Sequence, residues 1–186
     1  MNDCTVERII FSADEIGRRV GELAARLAAD YPPGELATVA VLKGSFVFVA
    51  DLARQLSAHD VHLAIDFLTL ASYGRGSVSP GRVRIEEDIA LDIRDRDVLL
   101  VDDILDTGHT LRTAVDLLRG HGARSVRTCV LLDKAARRQV DIHADYVGFP
   151  CPDVFVVGYG LDYAGRFREL PYVGAISMPG GKCSGG

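Results

Sequence analysis

Apolar residues along the chain alternate between short unbroken runs and helical spacing. Behind Ser12 and Glu15, whose separation of three is a capping-box signature, Ile16, Val20, Leu23 and Leu27 predict a first helix reaching about Tyr31. Pro32, Pro33 and Gly34 break it. The run Leu36 to Leu42 (LATVAVL) reads as a strand buried on both faces. It ends abruptly at Lys43-Gly44-Ser45, and Phe46 to Leu56 is apolar enough for a core helix. Val61 to Leu70 predicts a third strand. Val98 to Val101 (VLLV) predicts a central one that stops in acid at Asp102, Asp103 and Asp106. Leu111, Ala114, Val115 and Leu118 then form one helical face, which Gly120 and Gly122 end. Ser125 to Leu132 supplies a further strand, capped by Asp133 and Lys134, and Val154 to Val157 is the last apolar run. Strand, short polar turn and helix thus occur in order more than once, the rhythm of an open α/β sheet.

Elsewhere the pattern breaks down. Ser72 to Arg82 (SYGRGSVSPGR) is too rich in glycine, serine and proline to pack a core; it predicts a loop, with Val83 to Ile85 as its return strand. Glu86, Glu87 and Asp88 read as a solvated face. The chain reads as one domain over residues 1–177, followed by a flexible tail over 178–186.

Composition narrows the setting. A formal net charge of −5, without a long Lys/Arg run, argues against a surface that tracks a nucleic-acid backbone. Cys4, Cys129, Cys151 and Cys183 make no C-x-x-C pair and suggest neither a zinc site nor a disulfide framework, so a reducing cytoplasm is the expected home. The N-terminus has no basic segment leading into an apolar h-region, and no apolar stretch is long enough to cross a membrane, so the chain reads as soluble and unexported.

Candidate chemistry gathers at the strand ends, where open parallel sheets bind ligands. The turn Asp106-Thr107-Gly108-His109-Thr110, between a buried strand and a helix start, offers free backbone N–H groups and the positive helix end, a natural phosphate site. Lys43-Gly44-Ser45, Lys134 and Asp162 are expected to face it. Carboxylates beside a phosphate repel it unless a cation intervenes, and oxygen ligands suit Mg²⁺. Competing motifs fail: there is no G-x-x-x-x-G-K-[ST], no G-x-G-x-x-G, no H-E-x-x-H and no G-x-S-x-G. His59 and His62 read as ordinary surface or core positions. From the residues alone, the chain is an α/β protein that binds a phosphorylated ligand with Mg²⁺. Asp106 reads equally well as a helix-cap acid.

The stretch Val98 to Leu111 resembles the signature of type I phosphoribosyltransferases: an apolar strand, two adjacent acids, then Asp-Thr-Gly-x-Thr. With Leu42-Lys43-Gly44-Ser45, Ser72-Tyr73-Gly74, Lys134, Phe155-Val156-Val157-Gly158-Tyr159, Leu161-Asp162-Tyr163 and Phe167-Arg168, the chain is similar to bacterial-type hypoxanthine phosphoribosyltransferases from about Val6 to Ser177. The resemblance implies an open, mainly parallel twisted sheet flanked by helices, with a small hood from the chain ends. It also implies transfer of the phosphoribosyl group of phosphoribosyl pyrophosphate to hypoxanthine, and guanine too, with Mg²⁺, in a homodimer or homotetramer. Asp106 to Thr110 would hold the 5′-phosphate, with Asp106 as the acid or base at the purine ring. Asp102 and Asp103 would sit by the ribose hydroxyls and Mg²⁺, and Asp162 by a second Mg²⁺. Lys43, Gly44 and Arg168 would bind pyrophosphate, with the Leu42–Lys43 peptide cis. Lys134, Phe155 and Val156 would read the purine, and the loop carrying Ser72 and Tyr73 would close over the reaction. Two positions depart from the family pattern: Asp102 stands where Glu is usual, and His109 where lysine or an apolar residue is common. A guanine- or xanthine-preferring enzyme, or a nucleic-acid-binding regulator of the same fold, are the alternatives.

Overall fold

The computed structural model describes residues 4–72 and 83–177. Tyr73, most of the glycine-rich loop and the tail over 178–186 lie outside the described residues. Strand β1 (Thr5–Phe11) leads into helix α1 (Ala13–Asp30). The predicted cap is formed: the Ser12 amide donates to Glu15 Oε2 at 2.8 Å and the Glu15 amide donates to Ser12 Oγ at 3.3 Å. Strand β2 (Gly34–Leu42), helix α2 (Phe46–Ser57), strand β3 (Val61–Ser72) and strand β4 (Val83–Glu87) follow. Strand β5 (Asp97–Leu105), helix α3 (His109–Gly120), strand β6 (Ser125–Asp133) and strand β7 (Tyr146–Pro150) complete the main sheet.

That sheet has six strands in the order β4-β3-β2-β5-β6-β7. All neighbours are parallel except β4, which pairs with β3 as an antiparallel edge. The continuous apolar runs follow from burial on both faces. In β2, Leu36 and Ala40 pack under α1 and α2 while Ala37, Val39 and Val41 pack with α3. In β5, Leu99 and Val101 join the first cluster and Val98 and Leu100 the second. The chain leaves β2 toward β3 and leaves β5 toward β6, so the crevice between β2 and β5 is the topological switch point.

The acidic end of β5 departs from expectation. The strand does not stop at Asp102 but runs on to Leu105, because the ladder with β6 continues through Asp102↔Val130, Ile104↔Leu132 and Leu105↔Asp133. Glu86 and Glu87 also lie within a strand, at the solvent-exposed sheet edge.

A second, three-stranded sheet is built from both chain ends in the order β1-β9-β8, where β8 is Val156–Val157 and β9 is Val173–Ser177. Its pairs are antiparallel, and Cys4, Val157 and Ile176 form its small core. This is the hood. Among the described residues no helix is long and apolar enough to cross a membrane.

Candidate active site

The turn after β5 is shaped by Gly108. It caps α3 at φ +94°, a left-handed conformation that favours glycine, and a Cβ there would lie 2.8 Å from Ile142 Cγ2 and 3.1 Å from Arg138 Cδ. Glycine offers no side chain to cap the first helical turn, so the N–H groups of that turn carry no side-chain cap. The segment after β6 wraps the turn from outside, with the amides of Gln139 and Val140 donating to the Thr107 carbonyl at 2.9 and 3.2 Å. Asp106, Thr107, His109 and Thr110 remain half-buried around it. The arrangement suits an anion at the helix start.

One strand turn earlier, Asp102 and Asp103 occupy the switch crevice. Asp102 is only 4% exposed; its Oδ1 accepts the Asp103 amide at 2.9 Å, and Asp103 Oδ1 accepts the Ile104 amide at 2.8 Å. Burial pushes the Asp102 carboxyl well above its ordinary range, and the neighbouring Asp103 charge adds to the shift. Burial raises Asp103 as well, against the pull of the Arg168 guanidinium. Two carboxyl groups held together in this way favour a cation between them and an incoming phosphate. Among the described residues no three His, Cys, Asp or Glu side chains gather as a metal cluster. A single carboxylate pair still suits Mg²⁺, which takes one or two protein carboxylates and completes its shell with water and phosphate oxygens.

Across the crevice, the turn after β2 meets this pair directly. The Leu42–Lys43 peptide is cis. Gly44 leaves no room for a side chain, since a Cβ there would lie 1.5 Å from Asp103 Oδ2. Gly160, at φ +99°, approaches from the far side: a Cβ there would lie 2.0 Å from the Gly44 carbonyl oxygen. Arg168 fixes that approach, donating from Nη1 to the Gly160 carbonyl at 2.6 Å and pairing through Nη2 with Asp162 Oδ1 at 2.7 Å. Asp162 Oδ2 accepts the Gly165 amide at 2.7 Å. Lys43, Gly44, Asp103, Asp162 and Arg168 are therefore drawn from three distant segments into one wall.

On the other side of β5, Lys134 is 6% exposed at the end of β6, its amide donating to the Leu105 carbonyl at 2.9 Å. The charges of Lys134 and Asp106 both act on the Cys151 thiol, which burial raises above its ordinary value. Lys134 and Asp106 thus flank the same strand end, Lys134 through its amide on the Leu105 carbonyl and Asp106 as the residue after Leu105. Phe155 is held differently, in the hood, where its ring meets Tyr163 edge-on at 5.7 Å and it packs on the core of Cys4, Val157 and Ile176. A cavity of about 390 Å³ opens beside Phe155, lined also by Glu7, Arg8, Asp153 and Ile176. Val156 is buried and pairs with Ala175. Ser72 ends β3 opposite Val83.

Two arginines that the sequence pattern did not single out lie at this site. Arg137 Nε is 3.3 Å from Asp106 Oδ1, and Arg138 pairs with Asp133 while its stem packs on Gly108. The only signal available was an Arg-Arg pair shortly after Lys134, in a segment with no periodicity.

The phosphoribosyl transferase domain model matches residues 9–164. The chain is 44% identical over 171 residues to the hypoxanthine-guanine phosphoribosyltransferase of Bacillus subtilis (strain 168), covering 92% of this chain and 93% of that protein. Among solved structures it is similar to a hypoxanthine phosphoribosyltransferase from Staphylococcus aureus, with a TM-score of 0.86, 42% identity and 92% of each chain covered. It is likewise similar to the Trypanosoma cruzi hypoxanthine phosphoribosyl transferase, with a TM-score of 0.87, 40% identity and 92% of each chain covered. Matched along most of its length in both sequence and fold, this chain belongs to the phosphoribosyltransferase family.

Proposed function

We propose that this protein is a purine-salvage enzyme that transfers the phosphoribosyl group of phosphoribosyl pyrophosphate to hypoxanthine, and to guanine, giving IMP or GMP and pyrophosphate. The observation that carries the reading is the convergence at the end of β5. The Asp106–Thr110 turn, the Lys43-Gly44 turn and Lys134 all adjoin one strand end, each offering the chemistry a different part of the substrates needs. The relatives' names support the same activity.

In this reading the amides and hydroxyls of Thr107, Gly108, His109 and Thr110 hold the 5′-phosphate, fixing the sugar. Lys43, the Gly44 backbone and Arg168 hold the pyrophosphate. Lys134 donates to the purine 6-oxygen, Phe155 stacks on the ring and the Val156 backbone supplies hydrogen bonds, so the base is held by its edge and its face. Asp106 exchanges a proton with a purine ring nitrogen as the bond to the ribose forms and pyrophosphate leaves; positioned proton transfer of this kind contributes about 10²–10⁴-fold. Asp102 and Asp103 would lie by the ribose hydroxyls and hold Mg²⁺, and Asp162 would hold a second Mg²⁺. When bound, the metal neutralises charge on the pyrophosphate.

The protein is further proposed to act in the cytoplasm as a homodimer or homotetramer; a structure of the Trypanosoma cruzi relative concerns the role of its C-terminal region in oligomeric state. A guanine- or xanthine-preferring enzyme and a nucleic-acid-binding regulator are less well supported by the relatives and by the net charge of −5. The test is pyrophosphate release from phosphoribosyl pyrophosphate with hypoxanthine, guanine, xanthine or adenine, with and without Mg²⁺. Release with hypoxanthine and guanine that needs Mg²⁺ is expected. Release with adenine alone, or with no base, overturns the reading.

A further inference from the structure

We infer that Arg137 is a positioning residue for Asp106, holding one carboxylate oxygen so that the other faces the purine. The inference rests on the role proposed for Asp106 above. The Asp106 side chain is 37% exposed, yet its Oδ1 is buried and accepts no hydrogen bond. Arg137 Nε lies 3.3 Å from that buried oxygen, an ion pair without hydrogen-bond alignment. The exposed part of the side chain therefore lies away from Oδ1, and Oδ2 is the oxygen left to meet a ligand.

A buried carboxylate oxygen without a partner is costly, so the guanidinium selects the one side-chain orientation that places Oδ1 beside it. Without it, Asp106 is free to turn both oxygens toward solvent. The chain delivers Arg137 to this place by local means. The Lys134 amide ties the end of β6 to the Leu105 carbonyl, one residue before Asp106, at 2.9 Å. A single 3₁₀ turn over Ala135–Arg137 then closes through the Arg137 amide donating to the Lys134 carbonyl at 3.1 Å. The Gln139 and Val140 amides, bonded to the Thr107 carbonyl, hold the far end. Thus the segment that places Lys134 beside the base also places Arg137 behind the acid. Arg137 is 28% exposed and meets Asp106 at its buried oxygen, so its proposed action runs through that carboxylate.

The test measures nucleotide formation from hypoxanthine and phosphoribosyl pyrophosphate in single turnover, so that product release does not mask the chemical step. Arg137→Ala, Arg137→Gln and Arg137→Lys are compared in the wild-type and Asp106→Asn backgrounds, with phosphoribosyl pyrophosphate affinity measured alongside. We expect Ala and Gln to slow the step about tenfold, a fraction of the 10²–10⁴-fold that proton transfer supplies, with affinity unchanged. Lys, which keeps the charge, restores most of the rate. In the Asp106→Asn background, Arg137→Ala has no further effect. An unchanged rate in Arg137→Ala and Arg137→Gln overturns the inference. So does a loss that Lys does not restore, or an equal loss when Asp106 is already replaced. Wild-type protein that forms no nucleotide instead overturns the functional reading on which the inference rests, which separates the two failures.

Discussion

Gly44→Ala tests the meeting of the β2 turn and the acid pair. Gly44 shows no left-handed φ, so the added methyl brings no backbone strain and the effect is steric alone. The new Cβ would lie 1.5 Å from Asp103 Oδ2, 2.5 Å from its Cγ and 3.3 Å from its Cβ, so the carboxylate must retreat by about 2 Å to reach normal contact. Neither side has slack. Asp103 Oδ1 is tied to the Ile104 amide at 2.8 Å, and the Gly44 carbonyl is packed against Gly160 from behind. Overpacking of this kind costs about 1–3 kcal/mol. Since the displaced groups are those proposed to meet the pyrophosphate and Mg²⁺, that cost translates into roughly tenfold to hundredfold weaker phosphoribosyl pyrophosphate binding. Any part of the cost that the free protein keeps lowers Tm instead, by about 2–4 °C for each kcal/mol. Calorimetric titration with Mg²⁺ present and thermal unfolding read the two effects. Gly120→Ala, where a Cβ meets nothing within 4 Å, is the control; it is expected to leave affinity unchanged and, at a helical position, to hold or slightly raise Tm rather than lower it. Wild-type affinity and Tm in Gly44→Ala refute the reasoning.

Other expectations test separate parts of the account. Lys134→Ala should raise the KM for hypoxanthine about tenfold to hundredfold, the scale of a hydrogen bond to a charged donor, while phosphoribosyl pyrophosphate affinity stays put; equal losses on both sides count against a base-reading lysine. Asp97 tests the fold's pH dependence: Arg124 and Ser125 hold its carboxyl down at about 2. A depressed acid stabilises the fold above its ordinary value of 3.8 and loses that contribution as pH falls through about 2. The Tm gap between wild type and Asp97→Asn should therefore be widest near neutral pH and close in acid; a gap that widens on acidification contradicts the assignment.

The main sheet was legible because burial on both faces leaves continuous apolar runs in β2, β5 and β6, while β3, next to the sheet edge, keeps a largely apolar sequence although only Val61 and Leu68 are buried in it. Helices α1 and α3 were legible from periodicity, α1 from its cap as well, and α2 from its apolar content. The end of β5 was not, since Asp102 and Asp103 look like a strand terminus in sequence, whereas pairing with β6 carries the ladder through them. The hood strands also escaped a local reading. β1 and β9 come from opposite chain ends; β1 is mostly exposed, and β9, though buried along four residues, is short and carries Gly174 and Ala175 in its middle. β7 is five residues long and contains both glycine and proline. At the site, the turn proposed to hold phosphate could be picked out because its residues are contiguous, from Asp106 to Thr110. Arg137 could not, because its meeting with Asp106 depends on how the segment after β6 folds back over the end of β5. Gly44 was visible as a turn residue; that it makes room for Asp103 appears only once β2 and β5 lie side by side.

The central claim is that Asp106 performs proton transfer in a site whose phosphate contacts come from its neighbours. Asp106→Asn keeps the shape of the side chain and removes its capacity to exchange a proton, so the decisive measurement is single-turnover nucleotide formation alongside phosphoribosyl pyrophosphate affinity in that variant. The account predicts a rate lowered by about 10²-fold or more with affinity close to wild type. An unchanged rate, or a loss of affinity that accounts for the whole loss of rate, contradicts it.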